Sequence, residues 1–228
     1  GHTMYIKEPS EKAQAVVIWL HGLGSNYQDM ESLSANLMLP EPLRHVYLQA
    51  PHRPITINNG IEMPAWYDIM GTPLMIHQEL KGILESCQMV EKTIDSQINA
   101  GFASEQIYLA GFSQGAAVAL FSAICCEKRL GGVISLSGYL PCVDELTFKQ
   151  PTTLPVFFGV GLHDNVVLPQ WSHISFQFLK KQGYNELISR DYNMAHSVCA
   201  EEVKDLSKWL SERIQINFQR VLMLSEGL

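Results

Sequence analysis

Short stretches of uninterrupted apolar residues recur along the chain, and they constrain the fold more than any other feature. Ala15-Val16-Val17-Ile18-Trp19-Leu20 is the clearest, and similar runs stand at 46–50, 107–110, 133–136, 156–160 and, more polar, 187–192. A strand with one face in water alternates apolar and polar residues, whereas a strand covered on both faces does not. Helical patterns lie between the runs. Residues 75–100 place Leu80, Ile83, Leu84, Cys87, Val90, Ile94 and Ile98 at three- and four-residue steps. Residues 114–128 are Ala-rich and apolar nearly all round, which predicts a buried helix, while 170–182 and 200–216 are amphipathic. Strand and helix in alternation predict an α/β fold: a mainly parallel central sheet with helices on both faces.

The chain has 228 residues, 46% of them hydrophobic, enough to bury a core as one domain. No linker, charge block or internal repeat divides it. Gly1-His2-Thr3 ahead of Met4 reads as a cloning remnant, and 217–228 as a C-terminal extension. The net charge is −7 and the 16 Lys and Arg are scattered, so no basic face exists to neutralise phosphates and no nucleic-acid partner is expected. No run is long enough to span a membrane, and no charged-then-apolar leader opens the sequence. Five cysteines, an odd number without ligand spacing, point to free thiols in a reducing compartment and hence the cytoplasm. Neither a His-x-x-x-His pair nor a comparable ligand set is present, so no metal or cofactor is expected.

Gly111-Phe112-Ser113-Gln114-Gly115 matches Gly-x-Ser-x-Gly, and its setting carries more than the pattern. The strand-like run 107–110 feeds into it and the helical run from Ala116 leaves it, which is the arrangement of a nucleophile elbow in an α/β-hydrolase. The turn is so sharp that the positions two before and two after the serine must be almost free of side chain. Glycine fills both. Ser113 then stands at a helix N-terminus, whose dipole favours developing negative charge.

A serine hydroxyl needs a base, and the base a third group that sets its tautomer. In this fold the order is serine, acid, histidine. Of the histidines after Ser113, His163 breaks that order and His173 falls in a helical pattern; His196 lies just past the last strand-like run. Asp164 directly follows the core run 156–160, whereas Asp144 sits in a polar loop and Asp191 is only five residues before His196. The expected catalytic residues are therefore Ser113, Asp164 and His196. The tetrahedral oxyanion needs two preorganised donors: the Gln114 backbone N–H from the elbow and the Leu23 backbone N–H from His21-Gly22-Leu23-Gly24. His21 itself is read as structural. Residues 51–73 hold four prolines and two glycines, a connection too long to be slack, and it should cross the carboxyl edge of the sheet.

Taken together, these blocks resemble the carboxylesterase/acyl-protein thioesterase family, the small phospholipase/carboxylesterase group of α/β-hydrolases. The resemblance runs from about Ala15 to Leu210. It rests on Trp19-Leu20-His21-Gly22-Leu23-Gly24, Met63-Pro64-Ala65-Trp66-Tyr67-Asp68, the elbow, Leu136-Ser137-Gly138-Tyr139-Leu140-Pro141, the 161–167 turn and Met194-Ala195-His196-Ser197-Val198-Cys199. It implies a compact enzyme without a large cap domain that hydrolyses lipid-acyl or small-molecule esters and thioesters, S-acylated proteins among them. It implies the same triad and the same oxyanion donors, with the segment around Ile61, Met63 and Trp66 and the Tyr139 turn bordering an acyl site. Leu162 is a further apolar candidate there, although Ile61, Met63, Trp66 and Leu162 are equally suited to a core. The chain departs from the family pattern at Ala116, where a second glycine is usual, and at Ser25-Asn26-Tyr27. A monomer or a homodimer is equally open. Two rivals use the same fold. A non-catalytic binding protein would lack a triad member or an elbow glycine, and a serine peptidase would want a pocket for peptide side chains and often a cap.

Overall fold

The computed structural model describes residues 4–71 and 78–227. Along the chain run β1 (Met4–Lys7), β2 (Ala15–Leu20), α1 (Tyr27–Ala35), β3 (Leu43–Leu48), β4 (His52–Ile55), β5 (Ile61–Pro64) and α2 (Leu80–Asn99). They are followed by β6 (Ile107–Phe112), α3 (Gln114–Cys125), β7 (Gly132–Leu136), β8 (Val156–Gly161), α4 (Pro169–Lys181), β9 (Leu187–Tyr192) and α5 (Ala200–Glu226). Seven strands form one sheet in the order β1-β3-β2-β6-β7-β8-β9, parallel throughout except for β1, which pairs antiparallel with β3. No helix among the described residues is long and apolar enough to cross a membrane.

The uninterrupted apolar runs have their cause in two separate cores. In β2, Val16, Ile18 and Leu20 face one core, while Ala15, Val17 and Trp19 face the other. The first lies under α2, α3 and α4, and the second under α1 and α5, through Met30, Leu33, Leu206, Trp209, Leu210 and Ile214. Helix α3 is buried at every residue from 114 to 124, the all-round apolar helix its composition predicts. Burying each Leu, Ile or Val of this kind contributes about 1.5–3 kcal/mol relative to exposure.

The boundaries differ from expectation where polar side chains find partners. Strand β3 starts three residues before the apolar run at 46–50, because Leu43, Arg44 and His45 pair with Ala15, Val16 and Val17. The Arg44 guanidinium is taken up by Glu8 and Gln97 and lies 5.0 Å from the Phe102 ring centroid. The connection 51–73 forms the antiparallel hairpin β4–β5, turned by Asn59 and Gly60 in left-handed backbone. Its last residues, and the expected start of a helix at 75, fall among residues 72–77 outside the described chain. Helix α5 continues to Glu226, well past the predicted 216, held where Asn217 donates to Tyr108 Oη (2.6 Å) and the Gly131 carbonyl (3.1 Å).

His45 is kept neutral by this packing. Its Nδ1 accepts the Trp19 indole N–H at 3.0 Å, and burial, with Lys7 nearby, lowers its pKa from 6.5 to about 4. His21 is also lowered, chiefly by burial. A histidine with a depressed folded-state pKa contributes stability that is present above about 6.5 and lost as pH falls through the folded value. Urea unfolding of the wild type should therefore weaken between pH 6.5 and 4 more than that of His45→Gln, by up to about 3 kcal/mol. Parallel pH profiles of the two proteins would refute the assignment.

Candidate active site

Strand β6 hands over to α3 through one residue. Ser113 has φ 58° and ψ −118°, a backbone region that L-residues enter at a cost of about 1–3 kcal/mol. Two glycines make the turn sterically possible. A Cβ on Gly111 would run into the backbone of Gly115 and Ala116, and one on Gly115 into the carbonyls of Leu20 and His21 at the end of β2. The turn is anchored by the Ser113 N–H on the Leu136 carbonyl (2.9 Å). Ala116 takes the place of the usual glycine because Gly138 faces it: a Cβ on Gly138 would overlap the Ala116 methyl.

Asp164 and His196 come from the loops after β8 and β9, and pairing between those loops brings them together. The Leu162 N–H bonds the Tyr192 carbonyl and the His163 N–H the Met194 carbonyl, each at 2.9 Å, so the β8–β9 register continues past the strand ends. A side chain on Gly161 would meet the Ala195 and Met194 carbonyls. His196 Nδ1 stands 2.6 Å from Asp164 Oδ2, while Asp164 Oδ1 accepts the Val166 and Val167 N–H groups at 2.9 Å each. The aspartate is buried and the imidazole packs against Phe112, ring centroids 4.8 Å apart. The competing residues lie elsewhere: Asp191 pairs with His173 on the surface at 2.8 Å, and Asp144 is in an exposed turn.

Gly24 N–H takes the Pro64 carbonyl and Ser25 N–H the Gly22 carbonyl, but the Leu23 and Gln114 N–H groups have no acceptor among the described residues. Both residues line the cleft onto which Ser113 opens. A network not legible in the sequence holds this loop. Gln114 Oε1 accepts the Trp66 N–H (2.8 Å) and its Nε2 donates to the Tyr67 carbonyl (2.7 Å). The Trp66 indole N–H donates to the His21 carbonyl (2.7 Å). His21 Nδ1 reaches the Gly22 carbonyl (2.7 Å) and its Nε2 accepts the Ala50 N–H (3.1 Å), an arrangement that requires the neutral ring with its proton on Nδ1.

Ser113, His196 and the Leu23 loop open onto one cleft of about 1210 Å³, which extends between α1 and the first turns of α5. Its apolar wall includes Met30, Leu33, Val167, Val198 and Val203. Among the five residues expected at an acyl site, Tyr139 lines this cleft; Ile61, Met63, Trp66 and Leu162 do not. Trp66 is wholly buried, because its indole N–H finds its acceptor inside, and it acts as packing between elbow and hairpin. Ile61 and Leu162 are largely exposed, and Met63 packs near Gly24. The α1 wall is not legible in the sequence because nine residues are too few to display a helical period, although Asn26 caps the helix by accepting the Gln28 N–H at 2.9 Å.

A mostly parallel sheet with a strained serine between β6 and α3, and an Asp–His pair from the two following loops, defines an α/β-hydrolase. Residues 2–214 match the phospholipase/carboxylesterase family model, and the chain belongs to that family of ester-bond hydrolases. It is 34% identical over 223 residues to acyl-protein thioesterase 1 of Aspergillus fumigatus, covering 92% of each chain. It is 34% identical over 217 residues to the protein of that name from Candida albicans, covering 89% of this chain and 94% of the other. The crystal structure of Zea mays acyl-protein thioesterase 2 superposes with a TM-score of 0.79 at 27% identity, covering 92% and 98% of the two chains.

The Gln114 side chain offers a direct test of the network. Gln114→Ala leaves the Trp66 N–H and Tyr67 carbonyl buried without partners, which should cost about 2–4 kcal/mol in urea unfolding. A loss below about 0.5 kcal/mol would mean that the network does not hold the loop.

Proposed function

We propose that the chain is a serine hydrolase of acyl esters and thioesters, in which Ser113, His196 and Asp164 form a catalytic triad. The observation that carries this reading is the 2.6 Å Asp164–His196 pair beside a strained Ser113 in the same cleft. Asp164 Oδ2 accepts the Nδ1 proton of His196, which leaves Nε2 as the lone pair that receives the Ser113 Oγ proton. Oγ attacks the acyl carbonyl, and the carbonyl oxygen takes up negative charge between the Leu23 and Gln114 N–H groups. Such a donor is worth about 10²–10³ in turnover. The protonated His196 gives its proton to the departing alcohol or thiol, leaving Ser113 acylated. Water, deprotonated by His196, attacks the acyl-enzyme; collapse of the second tetrahedral intermediate returns the proton to Oγ and releases the acid. Asp164 stays ionised throughout.

The cleft between α1 and α5 suits the hydrocarbon arm of a lipid-acyl substrate, and the names of the relatives support acyl thioesters, including S-acylated protein, as substrates. Five free cysteines fit a reducing, cytoplasmic setting. The chain is read as one domain without a cap, acting as a monomer or homodimer, and no cofactor enters the scheme.

A chain-length series of p-nitrophenyl esters and matched acyl thioesters tests the reading. Ser113→Ala should lose at least about 10⁴-fold in kcat and all labelling by a fluorophosphonate probe, and Asp164→Asn about 10³–10⁴-fold. Substantial turnover by Ser113→Ala would reject the triad. In the same series Met30→Trp, which narrows the α1 side of the cleft, should lower kcat/KM for long chains while sparing acetate. Equal loss on every chain length would remove this cleft as the acyl site.

A further inference from the structure

Glu202, the third residue of α5, is a carboxylic acid for which the proposed mechanism has no use. It is 0% exposed, and neither carboxyl oxygen has a hydrogen-bond partner among the described residues. Its place in the fold is specific. The carboxyl group fills the space that a Cβ on Gly159 would need, beside the Leu136 side chain. Gly159 lies in β8, five residues before Asp164, and Leu136 is the residue whose carbonyl anchors the Ser113 N–H. Cys199, three residues after His196, is the N-cap of helix α5, so the first turn of α5 and the His196 loop are one short piece of chain. Glu202 seats that piece on the strand that carries the acid.

The ionisable groups around it are Cys199 at the helix start, Tyr192 on β9 and Asp205 one turn along α5, with the Tyr192 hydroxyl donating to Asp205 at 2.7 Å. A cation also stands on that face of the sheet, Arg190, the β9 register partner of Gly159, but its side chain is exposed and does not pair with Glu202 among the described residues. An ionised Glu202 would be dry, unpaired and close to a second carboxylate.

We propose that Glu202 is a positioning residue for His196: a buried carboxylic acid that in its neutral form seats the first turn of α5 on Gly159, and that unseats the His196 loop when it ionises. This rests on the reading of His196 as the base. Desolvation raises the Glu202 pKa from 4.5 to about 8; the Cys199 backbone N–H facing the carboxyl opposes the rise in part, and Asp205 adds to it. A carboxyl that stays neutral in the fold but ionises near 4.5 in the unfolded chain makes the folded state hold the extra proton. Its contribution to stability is full below about 4.5 and is lost as pH rises through about 8.

The test compares the wild type with Glu202→Gln and Glu202→Ala. In the wild type, kcat should fall as pH rises past about 8, with KM little changed. Glu202→Gln, neutral at every pH and the same shape, should keep kcat within about threefold at neutral pH and lose that alkaline fall. Glu202→Ala, which empties the seat, should lower kcat about tenfold or more at every pH. An unchanged alkaline limb in Glu202→Gln, or an Ala variant that loses only thermal stability, would overturn the proposal. Infrared spectroscopy of the wild type gives a readout that needs no variant and no catalysis. A protonated-carboxyl band should persist at neutral pH and titrate away near pH 8, together with activity. Absence of that band at neutral pH overturns the Glu202 assignment itself. A band that titrates while His196→Ala stays active would instead locate the failure in the reading of the triad.

Discussion

The structure turns on one close approach, the first turn of α3 against the last residues of β2. Gly115 lies on the Leu20 and His21 carbonyls and Gly111 on Gly115, with no room for a methyl at either contact. A helix that started farther from the sheet would let Ser113 relax into ordinary backbone, and its side chain would no longer stand at the head of α3. The same contact brings the His21–Gly24 loop alongside the elbow, so that Leu23 and Gln114 line the same cleft as the serine. The strain at Ser113, about 1–3 kcal/mol, is small beside the burial of α3, whose residues from 114 to 124 are all enclosed. The fold holds the serine in place through the packing of a whole helix.

The second half of the site depends on strand pairing. Asp164 and His196 are 32 residues apart, yet both are direct continuations of neighbouring parallel strands, and backbone hydrogen bonds run past the strand ends into both loops. Their 2.6 Å contact is thus a property of the β8–β9 register. Asp164 makes two further bonds to the backbone of its own turn, which fixes the carboxylate whichever way the imidazole moves. Parallel strands open their loops at the same edge, so a sheet of this kind gathers residues distant in sequence at one rim.

Much of this was legible in the sequence, for reasons that differ from element to element. Buried strands such as Ala15–Leu20 announce themselves because both faces must be apolar. The elbow does so because its glycines are sterically obligatory, and Asp164 and His196 because topology leaves few other acids and histidines in the right order. What stayed hidden depends on partners far along the chain. Strand β1 is a short, largely exposed edge strand recognisable only by what it pairs with, and the start of β3 is masked by Arg44 and His45, whose polar atoms are satisfied by Glu8, Gln97 and Trp19. Trp66 looks like a binding residue in a loop, but its two N–H groups are bound by Gln114 and His21. The cleft wall is hidden in the sequence because its members, Met30 and Leu33 on α1 and Val198 and Val203 at the start of α5, lie about 170 residues apart.

That wall has a further consequence. Helix α1 carries none of the residues proposed for the chemistry, and it meets the core through Met30, Leu33 and Ser34, with Tyr27 packed at its edge. The other cleft side chains of α1, among them Ser32 and Asn36 at its end, are exposed and bear little of the fold's weight. Substitutions there can reshape what enters the cleft without disturbing the elbow or the two loops that meet behind it. Selection on substrate range and selection on catalytic competence therefore act on different parts of the chain, and a lineage built on this plan is free to change its diet while keeping its chemistry.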